Sequence, residues 1–418
     1  MKILLIDYDA GTAQLGGDTH TFDLAKQWTA AGAQVVIAAA DHSYLRRRNP
    51  EVPAYGQLSK QEGVEMLWIR TPAAADREKK ILHGAWPFEQ GLYKSLPLIR
   101  QFGPDAVVLS SRHLLGAVSG MRLARKLSIP LITEVRRVYP EHLTQQLEYE
   151  PNHYLVRLFG WLQRRLYRKS QRILSVYTNL QEHIKELGGD AARFSPLPRG
   201  LSPSFFAKEN PAQRHLDFIR RYKAKGNFIL LAAGQAEKEQ HLDLLIAAAK
   251  TAPHHMMFLI VGNGMYKPNL KRTVREHNLT NVLFLDGVAP GQLQGLFQAA
   301  DGAYVGIMPH PWHRYGADTE GLLLPMGAGV PVICAADLPD NPVETAACGF
   351  VVGTGDQEGL SRSLRVLASM PEESRRKMGQ LGKTYAREHG SFSNQADRFL
   401  QIIEETVNEY KEKEQTSR

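Results

Sequence analysis

Tyr315 to Ile333, YGADTEGLLLPMGAGVPVI, carries residue types and spacing suited to holding an anion. Gly316 and Gly321 let the loop turn tightly, a short helix of about two turns follows, and Gly329 stops it before Pro331. A buried strand is expected from Val330. A loop feeding a helix N-terminus points unpaired N–H groups and a partial positive charge at its guest. The same stretch also reads as an ordinary loop–helix–strand unit. Its hydrophobic positions Leu322, Leu323 and Met326 read as core. Three other residues stand where chemistry is done on open α/β sheets, at the carboxyl ends of strands. They are His113 after Ala106–Leu109, Glu134 closing Leu131–Glu134, and Arg199 after Phe194–Leu197. Arg199 fits a contact to an acceptor or donor phosphate but is more often a plain strand-end residue, and a lone histidine such as His113 is more often a loop or capping residue. His310, Trp312 and His313, in HPWHR, offer a stacking surface for a base or sugar, or else form a solvated loop.

The elements that must position these groups repeat one scheme. Lys2–Asp7 is an apolar run of the kind found in central parallel strands. Gly11 and Gly16-Gly17 follow, then Asp18 and Thr19 as caps of a helix carrying Phe22, Leu24, Ala25 and Trp28. Gly32 closes the helix and Gln34–Ala39 is the next strand. The glycines do not form G-x-G-x-x-G, so no dinucleotide site is implied; they would give a sugar or acceptor head close access to the backbone. A second β–glycine–α unit opens with Asn227–Ala232 and Gly234, and Met257–Val261 leads into Gly262-Asn263-Gly264. The mixed, proline-punctuated segment from Ser202 to Gly226 reads as the crossing between domains. The expected division is residues 1–205, residues 206–390, and a C-terminal helix and tail, 391–418, packing back toward the first domain. The tail EYKEKEQTSR is expected to be disordered. Two β/α domains in one chain place the active site in the cleft between them.

Bulk composition narrows the function classes. Hydrophobic residues make up 43% and charged residues 22% of 418, as in soluble globular proteins. Two cysteines, Cys334 and Cys348, imply no disulfide framework, no zinc site and a reducing cytosol. MKILLIDYDAG opens on a strand rather than a signal peptide, and no apolar run is long enough to span a bilayer. A net charge of +8 suits an anionic partner. Nucleic acid is not expected, since no repeat, zinc spacing or aromatic RNA-binding strand accompanies the charge. Leu155 to Arg172 reads as a basic amphipathic helix, with Leu155, Leu158, Phe159, Leu162 and Leu166 on one stripe. It fits either an anionic membrane surface or a helix packed in the domain with its charges solvated.

Taken together, Gly16-Gly17, Arg70-Thr71-Pro72, Ser110-Ser111 before His113, and Glu134-x-Arg136 form an ordered series in the first half. Gly262-Asn263-Gly264, Tyr315-Gly316, Met326, Gly329-x-Pro331-Val332-Ile333 and Asp340-Asn341-Pro342-Val343 continue it. The series resembles glycosyltransferase family four, over nearly the whole chain. The later pieces are similar to the branch that builds bacterial surface polysaccharides, including N-acetylfucosamine transferases acting on lipid-linked acceptors.

The resemblance implies an α/β protein of the GT-B fold, two Rossmann-like domains facing a cleft. It implies a nucleotide-diphosphate sugar as donor, a glycan or lipid-linked acceptor, and no cofactor or metal. The enzyme would be cytoplasmic, peripheral on the inner face of the plasma membrane. Lys238 falls at the basic position that faces the diphosphate, and Gly234, Gly264, Asp318, Glu320, Gly321 and Leu322 fall on the donor side. His113 matches the histidine that touches the donor sugar. Gly16, Gly17, Glu134, Arg136 and Arg199 fall on the acceptor side. Many members retain anomeric configuration, so the two-carboxylate logic of glycosidases is not carried over.

Four departures accompany the likeness. The ribose-binding carboxylate position is Leu324, the first Glu of Glu-x7-Glu is Gly316, the usual Asp after Arg136 is Arg137, and a lysine-bearing run is replaced by Asp318-Thr319-Glu320-Gly321. A leucine cannot accept the ribose hydroxyls, a loss of about 1–3 kcal/mol. Two outcomes follow: Asp318 or Glu320 takes over the ribose, or the chain keeps the scaffold as a binding or partner subunit without transfer.

Overall fold

The computed structural model describes residues 1–12, 14–43, 45–52, 58–72, 77–110, 114, 116–146, 148–206, 210–234 and 236–416. The chain divides into two compact units, Met1–Leu197 with Ser393–Arg418, and Pro198–Phe392. These divisions stand beside expected boundaries at 205 and 390.

The first unit is built on an eight-stranded sheet. Its strands are β1 (Lys2–Ile6), β2 (Gln34–Ala40), β3 (Leu58–Gln61), β4 (Val64–Ile69), β5 (Ala106–Ser110), β6 (Leu131–Val135), β7 (Arg172–Ser175) and β8 (Phe194–Pro196). Their order is β3-β4-β2-β1-β5-β6-β7-β8. All neighbours are parallel except β3 and β4. The central strands read KILLI, AVVLS and LITEV and are buried almost throughout, as parallel strands covered on both faces must be. The edge strand β3, LSKQ, is polar at all but Leu58, and it turns back through Glu62 and Gly63, both at positive φ.

The last helix, Phe392–Thr416, belongs largely to this unit. Trp28 lies beneath it, its Nε1 donating to the Ala396 carbonyl at 2.9 Å and its ring 5.0 Å from Phe399. The expected disordered tail is therefore corrected: helix continues to Thr416. Glu, Lys and Gln are good helix formers, and they extend a helix already nucleated by packing. The Lys411 ammonium, 3.4 Å from Asp105, adds an exposed contact.

The second unit holds a six-stranded, all-parallel sheet: β9 (Phe228–Ala233), β10 (Met256–Val261), β11 (Val282–Leu285), β12 (Gly302–Gly306), β13 (Val332–Ala335) and β14 (Gly349–Val352). The order is β11-β10-β9-β12-β13-β14. The segment read as a domain crossing contains a helix, Gln213–Lys223, whose Ile219 enters the core of this unit. The strand expected from Val330 begins at Val332.

Each sheet has a point where the strand order reverses, between β1 and β5 in the first and between β9 and β12 in the second. Loops leaving the carboxyl ends of two such strands diverge to opposite faces and leave a crevice.

Candidate functional site

In the first unit a charged cluster gathers beyond the carboxyl ends of β1 and β6. Glu134 is buried on β6, and His20 opens the helix His20–Ala30 directly after the Gly16-Gly17 loop. His20 Nε2 and Glu134 Oε1 are 2.7 Å apart. Burial opposes ionisation of Glu134, but His20, its hydrogen bond and the Arg136 guanidinium outweigh it and hold the carboxyl down at about 2. Arg136 in turn donates to Asp18 Oδ2 at 2.6 Å. Asp18 Oδ1 accepts the His20 backbone N–H, so one carboxylate caps the helix and orients the arginine. Asp7, just past β1, accepts from Thr21 Oγ1 at 2.7 Å. Burial, partly offset by Arg136, raises its pKa.

Gly16 and Gly17 both sit at positive φ, 72° and 86°. A Cβ on Gly16 would lie 3.0 Å from the Arg47 side chain, and one on Gly17 3.2 Å from that of Arg46. The room above the glycines thus holds two arginine stems rather than open space. Arg46 is itself buried, donating to the carbonyls of Ala10 and Ala40. His113 lies outside the described residues.

In the second unit the turns leaving β9 and β10, beside the crevice between β9 and β12, approach as closely as only glycine allows. A Cβ on Gly262 would lie 1.8 Å from the Gly234 carbonyl oxygen, and one on Gly234 would meet the Gln240 amide. The loops after β9 and β12 are tied by Met308 N–H donating to the Glu239 carbonyl at 2.9 Å. Tyr304 Oη adds a bond to the His241 carbonyl, also 2.9 Å. Lys238 stands exposed on this loop. Lys267 is buried instead, donating to the carbonyls of Gly262 and Leu285 and pinning the Gly262-Asn263-Gly264 turn.

Opposite lies an aromatic group. His310 stacks on Trp312 with centroids 4.0 Å apart and planes at 10°, and Trp312 is buried. Burial, with His310 beside it, pushes the His313 imidazole down to about 4. His310 Nε2 and His241 Nδ1 are shielded from solvent and have no hydrogen-bond partner among the described residues. A buried polar atom left in this way marks a place where a ligand or water completes the bonding.

The helix Glu320–Ala328 starts beside this crevice with most of its first turn already engaged. Asp318 Oδ1 accepts the Glu320 N–H, and the Thr319 carbonyl accepts those of Leu322 and Leu323. Of the N–H groups of Glu320, Gly321 and Leu322, that of Gly321 stays on an exposed surface. Arg199 joins Asp318 at 2.8 Å and Glu320 at 3.2 Å, so this arginine, expected on the acceptor side, lies among the donor-side carboxylates. The Leu322 side chain is fully buried, and Leu324 is half-buried against the same apolar core.

His20 and Lys267 are the residues that reading the sequence missed. Each opens a helix just after a glycine turn at the carboxyl end of a strand, and that placement was the available signal. Among the described residues no cluster of three His, Cys, Asp or Glu side chains is gathered that would hold a metal ion.

Residues 16–200 match the glycosyl transferase 4-like domain and residues 215–385 the glycosyl transferases group 1 domain. No curated protein matches the chain in sequence. Solved structures do match it over nearly its full length. Sucrose-phosphate synthase from Thermosynechococcus elongatus superposes with a TM-score of 0.73 at 17% identity, covering 97% of this chain and 98% of its own. HepE of Anabaena, solved with UDP-glucose, gives 0.66 at 14% identity, with 98% and 100% covered. WaaG, a glycosyltransferase involved in lipopolysaccharide biosynthesis, gives 0.66 at 16%, with 96% and 99% covered. The two-domain α/β architecture is the GT-B fold.

Proposed function

The chain is a glycosyltransferase of the GT-B type, a glycosyl transferase 4-like domain followed by a group 1 domain, and from that premise we propose that it moves a sugar from a UDP-sugar to a glycan or lipid-linked acceptor in surface-polysaccharide synthesis. The sugar is a hexose or N-acetylhexosamine, in keeping with the sequence likeness to the N-acetylfucosamine transferase branch. The observation that carries the reading is the crevice between β9 and β12, where two hydrogen-bonded loops present Lys238, a stacked His310–Trp312 pair and two partnerless imidazole nitrogens. UDP is favoured because HepE was solved with UDP and UDP-glucose.

Lys238 and the Gly321 N–H hold the diphosphate, where charge grows as the sugar departs. Gly234 and Gly264 shape the loops beneath it. Asp318 and Glu320 take the ribose hydroxyls in place of the carboxylate missing at Leu324. His113 contacts the transferred sugar, while Glu134 and Arg136, fixed by His20 and Asp18, shape the acceptor end. Transfer proceeds with retention and without a metal or organic cofactor. The protein is cytoplasmic and rests on the anionic inner face of the plasma membrane through the basic helix Tyr154–Lys169; no helix of the described residues is long and apolar enough to cross it.

The test is transfer from a panel of nucleotide sugars to extracted bacterial glycolipids, followed by NMR of the product's anomeric carbon. One UDP-sugar is expected to react with retention, and His113→Ala to slow turnover on the order of a hundredfold. Undiminished turnover in that variant would remove the role of His113.

A second reading is favoured by Arg199, Asp318 and Glu320, whose ion pairs cover the helix start. In that reading the chain binds a sugar nucleotide or partner without transferring sugar. Binding of UDP-sugar with no product under every acceptor tested would select it.

A further inference from the structure

The basic helix expected over Leu155 to Arg172 with one apolar stripe instead spans Tyr154–Lys169, Arg172 opening β7, and it carries two stripes. Leu155, Phe159, Leu162 and Leu166 are buried in the core of the first unit. Leu158, expected with them, instead faces solvent at 40% exposure, between Tyr154 at 63% and Trp161 at 52%. These three recur at helical spacing and form an outward apolar line. Exposed Arg157, Arg164, Arg165 and Arg168 flank it, and the helix contains no acidic residue. The helix joins parallel strands β6 and β7, so it runs from the carboxyl edge of the sheet to the amino edge.

At that amino edge a groove of about 500 Å³ opens beside the neighbouring helix Ala117–Leu127. Arg122 and Arg125 line it from that helix, Arg165 and Lys169 from the basic one, and Trp161 from the end of the exposed line. Met121 and Ile129 supply an apolar floor, and among the described residues no carboxylate lines the groove. All four cations are exposed and have no carboxylate partner among the described residues; Arg165 lies only over the Trp161 ring, 5.4 Å from its centroid. The helix Ala117–Leu127 also lacks acidic residues.

Four uncompensated cations around an apolar floor, continuous with an aromatic line, complement a phosphate attached to hydrocarbon. We propose that this groove is a headgroup site for an anionic phospholipid of a bilayer, with the phosphate among Arg122, Arg125, Arg165 and Lys169. Trp161, Leu158 and Tyr154 enter the interfacial layer beside it. The site lies at the amino ends of β6 and β7, away from the strand ends that carry Glu134 and Arg136. It rests on the reading of the protein as membrane-associated and adds a residue set, half of it on another helix, that the basic helix alone does not provide.

The experiment is co-sedimentation of the full chain with vesicles of phosphatidylcholine alone and with phosphatidylglycerol added. Wild type should bind only the anionic vesicles, less so at high salt. The pair Arg122→Gln and Arg125→Gln, which leaves the basic helix intact, should bind roughly thirtyfold more weakly, at about 1 kcal/mol per cation. The melting temperature of the variant controls for folding. A separate Leu158→Ser and Trp161→Ser variant should also lose vesicle affinity while keeping its melting temperature. If wild type binds anionic vesicles and the Arg122/Arg125 variant binds equally, the groove is overturned while membrane association stands. If wild type ignores the vesicles, both fail. Saturable protection by soluble glycerol phosphate without vesicle binding would make the groove a site for a free phosphate and overturn the lipid.

Discussion

The two charged regions of this chain are built on opposite terms. In the first unit, Glu134 and His20 are buried and held by close hydrogen bonds and ion pairs, with Arg136 and Asp18 nearly as enclosed. In the second, Lys238 stands in solvent, and Arg199, Asp318 and Glu320 pair at a partly exposed helix start. A buried ion loses its hydration and must find partners within the fold, so such a cluster is set when the protein folds. An exposed ion pair is screened and cheaply exchanged, so an incoming diphosphate can replace its partners. The first region is set when the chain folds, and the second is, on the proposed function, where ligand and protein trade contacts.

Glu134→Gln should break this contrast with the largest effect. It leaves Arg136 and His20 without their buried anion, and a loss of about 3–5 kcal/mol is expected in urea unfolding at pH 7. The pH dependence has a fixed sign. Glu134 is held at about 2 in the fold, below an unfolded value near 4.3, so its stabilisation is present above that value and lost as pH falls toward 2. Asp7, raised by burial, acts in reverse, its contribution fading as pH rises through its folded value. The variant should therefore lack the Glu134 part of the acid-side slope between pH 4.3 and 2.

Gly262→Ala comes next, because its Cβ would lie 1.8 Å from the Gly234 carbonyl. A destabilisation of about 1–3 kcal/mol is expected, with loss of any melting shift on adding nucleotide. Unchanged nucleotide response would detach the β9–β10 junction from ligand binding.

Asp318→Asn with Glu320→Gln should move stability by less than about 1 kcal/mol, since the pairs are partly exposed. Donor affinity should fall roughly tenfold as the ribose hydroxyls exchange charged carboxylate acceptors for weaker, neutral amide oxygens. A gain in affinity would show instead that these carboxylates repel the diphosphate, and would sharpen the contrast by making them a brake. The smallest effect on stability belongs to Lys238→Gln, within about 0.5 kcal/mol for a surface site, yet it should weaken diphosphate binding clearly.

Much of the frame was legible because it rests on local rules. Lys2–Ile6, Gln34–Ala40 and Met256–Val261 are apolar runs between turn residues, and they became strands of parallel sheets. The misses are non-local or compensated. β3 is too polar to signal a strand without β4 beside it. The tail 409–416 has the charge of a disordered segment but continues a packed helix. Leu158 shares a helical stripe with Leu155 and Leu162 in projection, and only tertiary packing decides which of them meets the core. At the sites, Glu134 and Arg136 were picked from strand position and family likeness. Their partners His20 and Asp18, more than a hundred residues away, follow from the order of β1, β5 and β6.

The central claim, that the crevice between β9 and β12 holds a nucleotide sugar, is tested most directly by calorimetric titration of UDP and UDP-sugars into the full chain. Saturable binding of UDP, weakened in Lys238→Gln while the melting temperature of the variant is kept, is the predicted result. Absence of heat and of any melting shift with UDP, GDP, ADP, CMP and dTDP at millimolar concentration would contradict it.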